Sequence, residues 1–184
     1  MIRIFDFFIS LLGLVLFFPV FFLVLILGYL DTGSPFFFQK RVGMNREPFI
    51  LIKFRTMKRG TPSVGTHLAD SEAVTRLGSL LRKSKLDELP QLWNVLTGSM
   101  SLVGPRPCLY NQTVLIHERD SRGIFEVRPG ITGLAQIKKI DMSTPVLLAE
   151  TEDYMIKTMS LLNYFRFIFA TVCGKGIGDR VGRA

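Results

Sequence analysis

From Ile4 to Leu30 the chain is apolar apart from Asp6, Ser10 and the glycines, and Pro19 lies inside that run. A stretch this long reads as a membrane segment rather than a core helix. The proline then limits what the segment can do. Within a helix it removes one backbone hydrogen bond and clashes with the carbonyl four residues back, so the helix breaks or kinks at about residue 15 to 18. At ~1.5 Å per residue the whole segment would reach about 40 Å, more than the ~30 Å hydrocarbon core, whereas each half reaches only ~17 to 22 Å. Neither half spans alone. Arg3 and the terminal amine precede the segment, and Lys40, Arg41 and Arg46 follow it, so the charge pattern marks both ends as cytoplasmic. A helix that enters, bends at Pro19 and returns satisfies both constraints; a tilted, kinked spanning helix is the other solution. A signal peptide does not fit, because the apolar run is too long, only Arg3 leads it, and no small-residue cleavage site follows.

A chain of 184 residues holds one compact domain and one attached element. Its net charge of +8 calls for an anionic partner: nucleic acid, anionic lipid headgroups or phosphorylated substrates. The 16 phenylalanines and a mean hydropathy of +0.31 shift that choice toward a membrane surface. Nucleic acid is set aside, since no module interleaves aromatic and basic residues for base stacking. Cys108 and Cys173 have neither metal-ligand nor redox-motif spacing, which agrees with a reducing, cytoplasmic setting.

Beyond the apolar run, Asp31-Thr32-Gly33-Ser34-Pro35 reads as a turn out of the membrane, and Phe36-Phe37-Phe38 beside Gln39-Lys40-Arg41 suits the headgroup boundary. Phe36 to Val42 and Pro48 to Met57 flank a turn at Met44 to Glu47, which predicts a small hairpin. Lys40, Arg41, Arg46, Lys53, Arg55, Lys58 and Arg59 face a single acid, Glu47, in this section. Lys53 and Arg55 share one strand face. That face could hold a phosphate, or it could lie solvated against anionic lipid, where each basic side chain adds ~1 kcal/mol. Gly60 to Ala69 reads as a loop carrying His67, taken as a surface histidine.

A helix is predicted from Ser71, with Val74, Leu77, Leu80 and Leu81 at helical spacing and Arg82-Lys83-Ser84-Lys85 at its end, where cations suit the dipole. Arg82 lies five positions before Asp87 and could face the same pocket. In Lys85-Leu86-Asp87-Glu88-Leu89-Pro90, the proline is tolerated only in a first helical turn, which places Asp87 and Glu88 at a helix start. Such a site welcomes phosphate or a metal-phosphate complex; Asp87 acting only as a helix cap is the alternative. Leu86, Leu89, Leu92, Val95 and Leu96 form the apolar stripe, Trp93 reads as a core or interface anchor, and Thr97-Gly98 stops the helix. Gly104-Pro105-Arg106-Pro107 is a stiffened turn that leaves Arg106 little freedom and preorganises it for an anion. Tyr110 to Arg122 reads as a polar helix, Arg128 to Gly133 as a loop whose glycines can approach a phosphate, and Leu134 to Ile137 as a short strand. Ala149 to Cys173 reads as one helix with Met155, Met159, Leu162, Phe165, Phe169 and Val172 on a face that lies partly in the membrane interface. Gly174 to Ala184 reads as a frayed basic tail.

In order and spacing these residues resemble the bacterial monotopic phosphoglycosyl transferases, the initiating sugar transferases of undecaprenyl-linked glycan assembly. The resemblance covers nearly the whole chain. It rests on the proline-interrupted N-terminal segment, Phe37-Phe38-Gln39-Lys40-Arg41-Val42-Gly43, Lys53-Phe54-Arg55-Thr56-Met57, the stretch Lys85 to Pro107, and Arg128-Pro129-Gly130-Ile131-Thr132-Gly133-Leu134-Ala135-Gln136. No extra N-terminal membrane helices precede it, so it resembles the small catalytic form. Two departures stand out: many members carry Ser-Pro at the bend where this chain has Phe18-Pro19, and Lys138-Lys139-Ile140-Asp141 replaces an asparagine- or glycine-rich segment, so no sugar contacts are assigned there.

The resemblance implies transfer of a phosphosugar from a UDP-sugar to undecaprenyl phosphate, with release of UMP. It implies Asp87 as the nucleophile that forms an aspartyl-phosphosugar intermediate, Glu88 assisting with Mg2+, and Lys53, Arg82, Arg106 and Arg128 as phosphate and uridine contacts. The expected fold is α+β and mainly helical: a re-entrant helix over 1–30 bent at Pro19, then a membrane-associated catalytic domain over 31–184 with a small hairpin and amphipathic interfacial helices. The expected location is the bacterial inner membrane, with the catalytic domain on the cytoplasmic face beside anionic lipids and other glycan-assembly enzymes. The competing function is a non-catalytic, basic membrane-anchored protein that binds lipid or serves as a scaffold.

Overall fold

The computed structural model describes residues 2–62 and 70–175. His67, most of its loop and most of the C-terminal tail lie outside the described residues. The apolar run forms α1 (Ile2–Leu16) and α2 (Phe18–Thr32), which change direction by 64° at Phe17. Hydrogen bonding resumes at once on either side, from Phe17 N to Gly13 O at 2.9 Å and from Phe21 N to Phe17 O at 2.8 Å. The break therefore sits in the turn before Pro19, where the ring clashes and the missing N–H withdraws a bond. Among the described residues no single helix is long and apolar enough to cross a membrane; the bent pair passes only as a pair.

Strand β1 (Phe36–Val42) pairs antiparallel with β2 (Pro48–Phe54), Phe36 opposite Phe54 and Val42 opposite Pro48. The two are joined by a 3-10 turn, Met44–Arg46, with Asn45 and Arg46 at φ 53° and 62°. β2 stops short of the expected Met57, because Arg55 N turns away to Pro35 O at 2.7 Å and Met57 bridges only Val74. The helix expected from Ser71 is divided: Ser71–Ala73 is a 3-10 turn, and α3 (Arg76–Ser84) starts afresh at Thr75, whose hydroxyl accepts from Gly78 N at 2.9 Å. A 3-10 turn, Leu86–Glu88, leads into α4 (Gln91–Thr97), which ends at Gly98 with φ 96°.

The second half contains β3 (Ser101–Val103), α5 (Thr113–Asp120), a 3-10 turn at Ile124–Glu126, and β4 (Gly130–Thr132), parallel to β3. Then come α6 (Leu134–Ile137), α7 (Pro145–Lys157) and α8 (Leu161–Val172). Four expectations are corrected here. The loop at 128–133 contains β4, because its backbone finds pairing partners in β3; the strand expected at Leu134 to Ile137 is a helical turn beyond that pairing. The polar helix begins at Thr113 rather than Tyr110. The long C-terminal helix is two helices, since Ser160 leaves helical dihedrals and its side chain accepts from Asn163 N at 3.2 Å, a new N-cap.

That break also splits the expected apolar face. Met155 is buried in the core, whereas Leu162, Phe169 and Val172 are 79%, 70% and 80% exposed, and Tyr164 takes the core position on α8. One core cluster joins Leu51, Val95, Met100, Leu102, Val103, Met155 and Tyr164, with Ile2, Phe5 and Ile9 of α1 packed on it. A second gathers Val42, Cys108, Leu115, Phe125, Ala135 and Leu148. A third centres on Val24, Phe54 and Leu81, and brings Phe21 of α2 together with Leu86 and Leu89. Trp93 is exposed, so of the two places expected for it, core or interface, the fold excludes the core.

Both ends of the bent pair are fixed to this body. Near its start, Asp6 is buried, and its Oδ1 accepts from Ser101 Oγ at 3.0 Å, Leu102 N at 2.9 Å and Tyr164 Oη at 2.8 Å. Arg3 donates to Leu96 O at 3.1 Å and Met100 O at 3.3 Å. At the far end, Gly28 lies against Pro35, with room for no more than a tight Cβ, and the chain passes directly into β1.

Candidate active site

Asp87 and Glu88 lie in the 3-10 turn between α3 and α4, fixed by the leucines on either side. Leu86 and Leu89 pack onto the cluster shared with α2, and the two acids point elsewhere along the turn, as neighbouring residues near a helical pitch must. The helix start falls later than expected, with Pro90 as the N-cap of a helix of seven residues. The N-cap positions of the turn and of α4 are Lys85 and Pro90, so Asp87 lies inside the 3-10 turn and not at either N-cap position. Asp87 is only 2% exposed and Glu88 is also buried. A carboxylate held that far from water needs compensating charge or donors. For Glu88 the compensation is explicit: Arg106 Nη2 donates to Oε1 at 2.8 Å, a charge-assisted bond.

Arg106 is presented by an extended segment whose neighbours come very close. A Cβ on Gly130 would lie 2.0 Å from Gly104 N, and one on Gly104 would lie 2.4 Å from Arg128 O, so both positions require glycine. This contact allows Gly130 N to bond to Pro105 O at 2.8 Å. A small recess follows, lined by Arg41, Lys53, Gln91 and Arg106 with Leu51, Pro107 and Gly130. Of the basic residues singled out in the sequence, Lys53 and Arg106 thus meet at one place. Arg41 and Gln91 join them there. Arg41 was visible within the Gln39-Lys40-Arg41 motif, but nothing in that motif showed that it turns inward; it donates to Gln39 Oε1 at 3.0 and 2.5 Å and to Pro107 O at 2.9 Å.

The remaining candidates are placed differently. Arg55 and Lys53 both lie over the Phe37 ring, 5.4 and 5.6 Å from its centroid, so they do share a face. Arg55 nevertheless donates to Ser34 O at 3.0 Å and Phe36 O at 3.1 Å, binding the connection between α2 and β1, and it is not among the recess residues. Burial, and then the neighbouring Arg59 charge, lower its pKa from the ordinary arginine value. Arg82, one turn after Gly78, donates to Thr56 Oγ1 at 2.8 Å; the helix approaches Thr56 so closely that a Cβ on Gly78 would sit 2.0 Å from its carbonyl oxygen. Arg128 donates to Gly98 O at 2.8 Å, at the end of α4 opposite the acid pair. It lines a separate cavity of about 280 Å3 with Arg3, Asp6, Ser101, Glu126 and Met159.

One further group escaped the sequence reading. Arg119 of α5 and Glu152 of α7 form a buried pair, Nε to Oε2 at 2.8 Å and Nη2 to Oε1 at 2.6 Å, and Arg119 Nη2 also donates to the main-chain oxygen of Arg106 at 2.8 Å. Burial opposes the Arg119 charge, but Glu152 and Cys108 together outweigh it and raise the arginine pKa; burial raises that of Glu152, and Arg119 restrains the rise. No local spacing could reveal the pair, since its members stand 33 residues apart.

The chain matches the family model described as bacterial sugar transferase over residues 1–175. It is 52% identical over 109 residues to EpsL of Bacillus subtilis, described as an uncharacterized sugar transferase, covering 59% of this chain and 54% of EpsL. It is 35% identical over 189 residues to the exopolysaccharide production protein ExoY of Sinorhizobium fredii, covering 92% and 83%. It is 36% identical over 168 residues to the UDP-glucose:undecaprenyl-phosphate glucose-1-phosphate transferase of Caulobacter vibrioides, covering 85% and 62%. The match runs through the bent apolar pair, the acid pair and the Arg106 segment alike, and the chain belongs to the bacterial sugar transferase family.

Proposed function

We propose that the chain transfers a phosphosugar from a UDP-sugar to undecaprenyl phosphate, giving undecaprenyl-diphospho-sugar and UMP, the first membrane step of bacterial glycoconjugate assembly. One observation carries this reading within the family: the turn that holds the buried Asp87 and Glu88 is seated through Leu86 and Leu89 on the cluster that also contains Val24 of α2, which sets the acid pair in the turn next to the packing of the apolar segment. A soluble nucleotide-sugar and a lipid-borne phosphate can meet at such a place. The Caulobacter relative, named for a UDP-glucose and undecaprenyl-phosphate reaction, supports the substrate pair. The identity of the sugar is a matter for a substrate panel.

In this reading an Asp87 carboxylate oxygen bonds to the β-phosphorus, the bond from that phosphorus to the bridging oxygen breaks, and UMP leaves. An oxygen of undecaprenyl phosphate then attacks the same phosphorus and releases the Asp87 carboxylate. Lys53, Arg82 and Arg106, with Arg41, supply positive charge to the diphosphate; Arg55 and Arg128 contribute through the backbone they hold. The donor set fits Mg2+. Asp87 and Glu88 are adjacent carboxylates, the hard oxygen donors that Mg2+ takes in ones and twos together with water and substrate phosphate, and among the described residues no group of three acidic, histidine or cysteine side chains forms a complete protein cage. These two residues would hold the ion, which when bound neutralises charge on phosphate oxygens.

The bent pair is read as re-entrant, dipping into the cytoplasmic leaflet of the inner membrane beside anionic lipids and other glycan-assembly enzymes. The Asp6 and Arg3 contacts at one end and β1 at the other favour this, since both ends belong to the same body. Two arms of 15 residues with a 64° change of direction would reach about 12 Å deep, within one ~15 Å leaflet. Exposed Phe8, Leu12, Phe18 and Phe22 then face lipid, as does the outer side of α8. The decisive assay is UMP release from a panel of UDP-sugars with undecaprenyl phosphate and Mg2+. Asp87→Asn and Asp87→Ala should each lower it by roughly 1,000-fold or more; activity surviving in both rules out Asp87 as nucleophile.

A further inference from the structure

Three consecutive carbonyls in Pro105-Arg106-Pro107 each accept a hydrogen bond from a different part of the chain. Gly130 N donates to Pro105 O at 2.8 Å, Arg119 Nη2 to Arg106 O at 2.8 Å, and Arg41 Nη1 to Pro107 O at 2.9 Å. The prolines already restrict the backbone at 105 and 107. The middle residue, whose side chain reaches Glu88, takes its restraint from Arg119.

Arg119 is an expensive way to hold a carbonyl. It is 2% exposed and its partner Glu152 is 0% exposed, and an apolar pair of similar size would commonly stabilise a core as well as a buried ion pair does. What an apolar pair lacks is a donor with a fixed direction. Here Glu152 holds the guanidinium by both Nε and Nη2, and that orientation sends Nη2 to the Arg106 oxygen.

We propose that Arg119, oriented by Glu152, is a positioning residue for phosphosugar transfer: by fixing the Arg106 main chain it sets where the Arg106 guanidinium meets Glu88 and the substrate diphosphate. The inference rests on the function proposed above. A displacement of about 1 Å in a group that orients reacting atoms can cost ~100-fold in rate, so loss of this restraint should appear in kcat.

The test is UMP release by the full chain in micelles, comparing wild type, Arg119→Lys, Arg106→Ala and the double variant. Lysine keeps the charge beside Glu152 but has no planar fork to serve both partners. Arg119→Lys should lower kcat by roughly 10- to 100-fold with KM for the UDP-sugar within about 3-fold, and its effect should shrink to within about 2-fold when Arg106 is already alanine. A full, multiplicative loss in the Arg106→Ala background would overturn the proposal. If Arg106→Ala releases no measurable UMP, the split decides: a fall in kcat alone supports the proposal, and an equal change confined to KM overturns it. Tyr164→Phe, a buried change on α8 in the cluster around Val95 and Met100 and not in the one that holds Leu115 and Leu148, serves as the stability control. If its kcat per folded molecule drops as far as that of Arg119→Lys at matched loss of thermal midpoint, positioning is refuted. A wild type inert with every UDP-sugar brings down the function and this inference together; an active wild type with a multiplicative Arg119 effect brings down the inference alone.

Discussion

Replacing Asp6 by alanine should detach the start of the bent apolar pair from the rest of the fold. Asp6 Oδ1 accepts three hydrogen bonds, from Ser101 Oγ, Leu102 N and Tyr164 Oη, and all three donors stay buried when it is gone. Leaving a buried donor without a partner costs about 1–3 kcal/mol each, giving ~3–9 kcal/mol before relief. Part returns because the carboxylate no longer has to be desolvated, and we take the net as about 3–5 kcal/mol, as for breaking other buried charge networks. Burial, and next the bond to Asp6, push the Tyr164 pKa above its ordinary value, so the phenol remains a donor throughout the neutral range and no pH change in that range mimics the variant. For a chain of 184 residues each kcal/mol moves the midpoint by ~2–4 °C, so Asp6→Ala should melt about 6–20 °C below wild type. Asp6→Asn keeps an acceptor but not the charge and should lose about a third as much. Circular dichroism melts in one detergent at fixed concentration measure both. An Asp6→Ala midpoint within 2 °C of wild type would refute the assignment of Asp6 as the anchor.

Arg128→Ala should behave as a structural change: it frees Gly98 O at the end of α4 and should cost about 1–2 kcal/mol of stability, while KM for the UDP-sugar stays within about 3-fold at a temperature where the protein is folded; a 30-fold rise in KM with an unchanged midpoint would instead make it a substrate contact. For topology, cysteines introduced before Arg3 and after Gly33 in a Cys173→Ser background should react with a membrane-impermeant maleimide from the same side. Opposite-side labelling would mean that the segment spans.

Features governed by neighbours in sequence were legible in the sequence. Pro19 breaks its helix in the preceding turn wherever the chain goes next, and the short run Phe36 to Val42 is bounded by turns on both sides, so the break and β1 fall where expected. Where pairing is non-local, the local pattern misled. Leu134 to Ile137 has strand-like composition, but the backbone that meets Ser101–Val103 is Gly130–Thr132, because only glycine permits the approach at Gly104. The apolar periodicity from Ala149 onward concealed a cap at Ser160 that its own sequence carries. For the site, the acid pair and Arg106 could be named from adjacent prolines and leucines. Arg119 and Glu152 could not, since neither has a local partner that marks it. Asp6 lay between these cases: a lone acid in an apolar run signals a partner without saying where that partner is.

Burial alone does not separate a structural carboxylate from a reactive one, because Asp6 and Asp87 are equally inaccessible, at 2% each. The difference lies in what surrounds each turn. Asp6 Oδ1 is met by three neutral donors of the core and its Oδ2 by Arg3 one turn back on the same helix at 3.9 Å, and Arg3 is itself tied to the carbonyls of Leu96 and Met100, so these partners serve the fold. Glu88, next to Asp87, is met by Arg106, a cation that also lines the recess. In the proposed reaction an arriving diphosphate competes with Glu88 for the Arg106 guanidinium, and the ground state includes an ion pair that has to loosen or share its charge. Removing the Glu88 charge should lift this competition. Glu88→Gln should bind UDP, measured by calorimetry without divalent cation, at least as tightly as wild type, while its kcat falls by the part that the proposal gives Glu88 in holding Mg2+. Glutamine keeps an oxygen for Arg106, so the side chain stays in place and the comparison reports charge rather than collapse. UDP binding weakened by 10-fold or more would show that Glu88 helps to build the phosphate site before substrate arrives, and the competition between carboxylate and diphosphate for Arg106 would have to be abandoned.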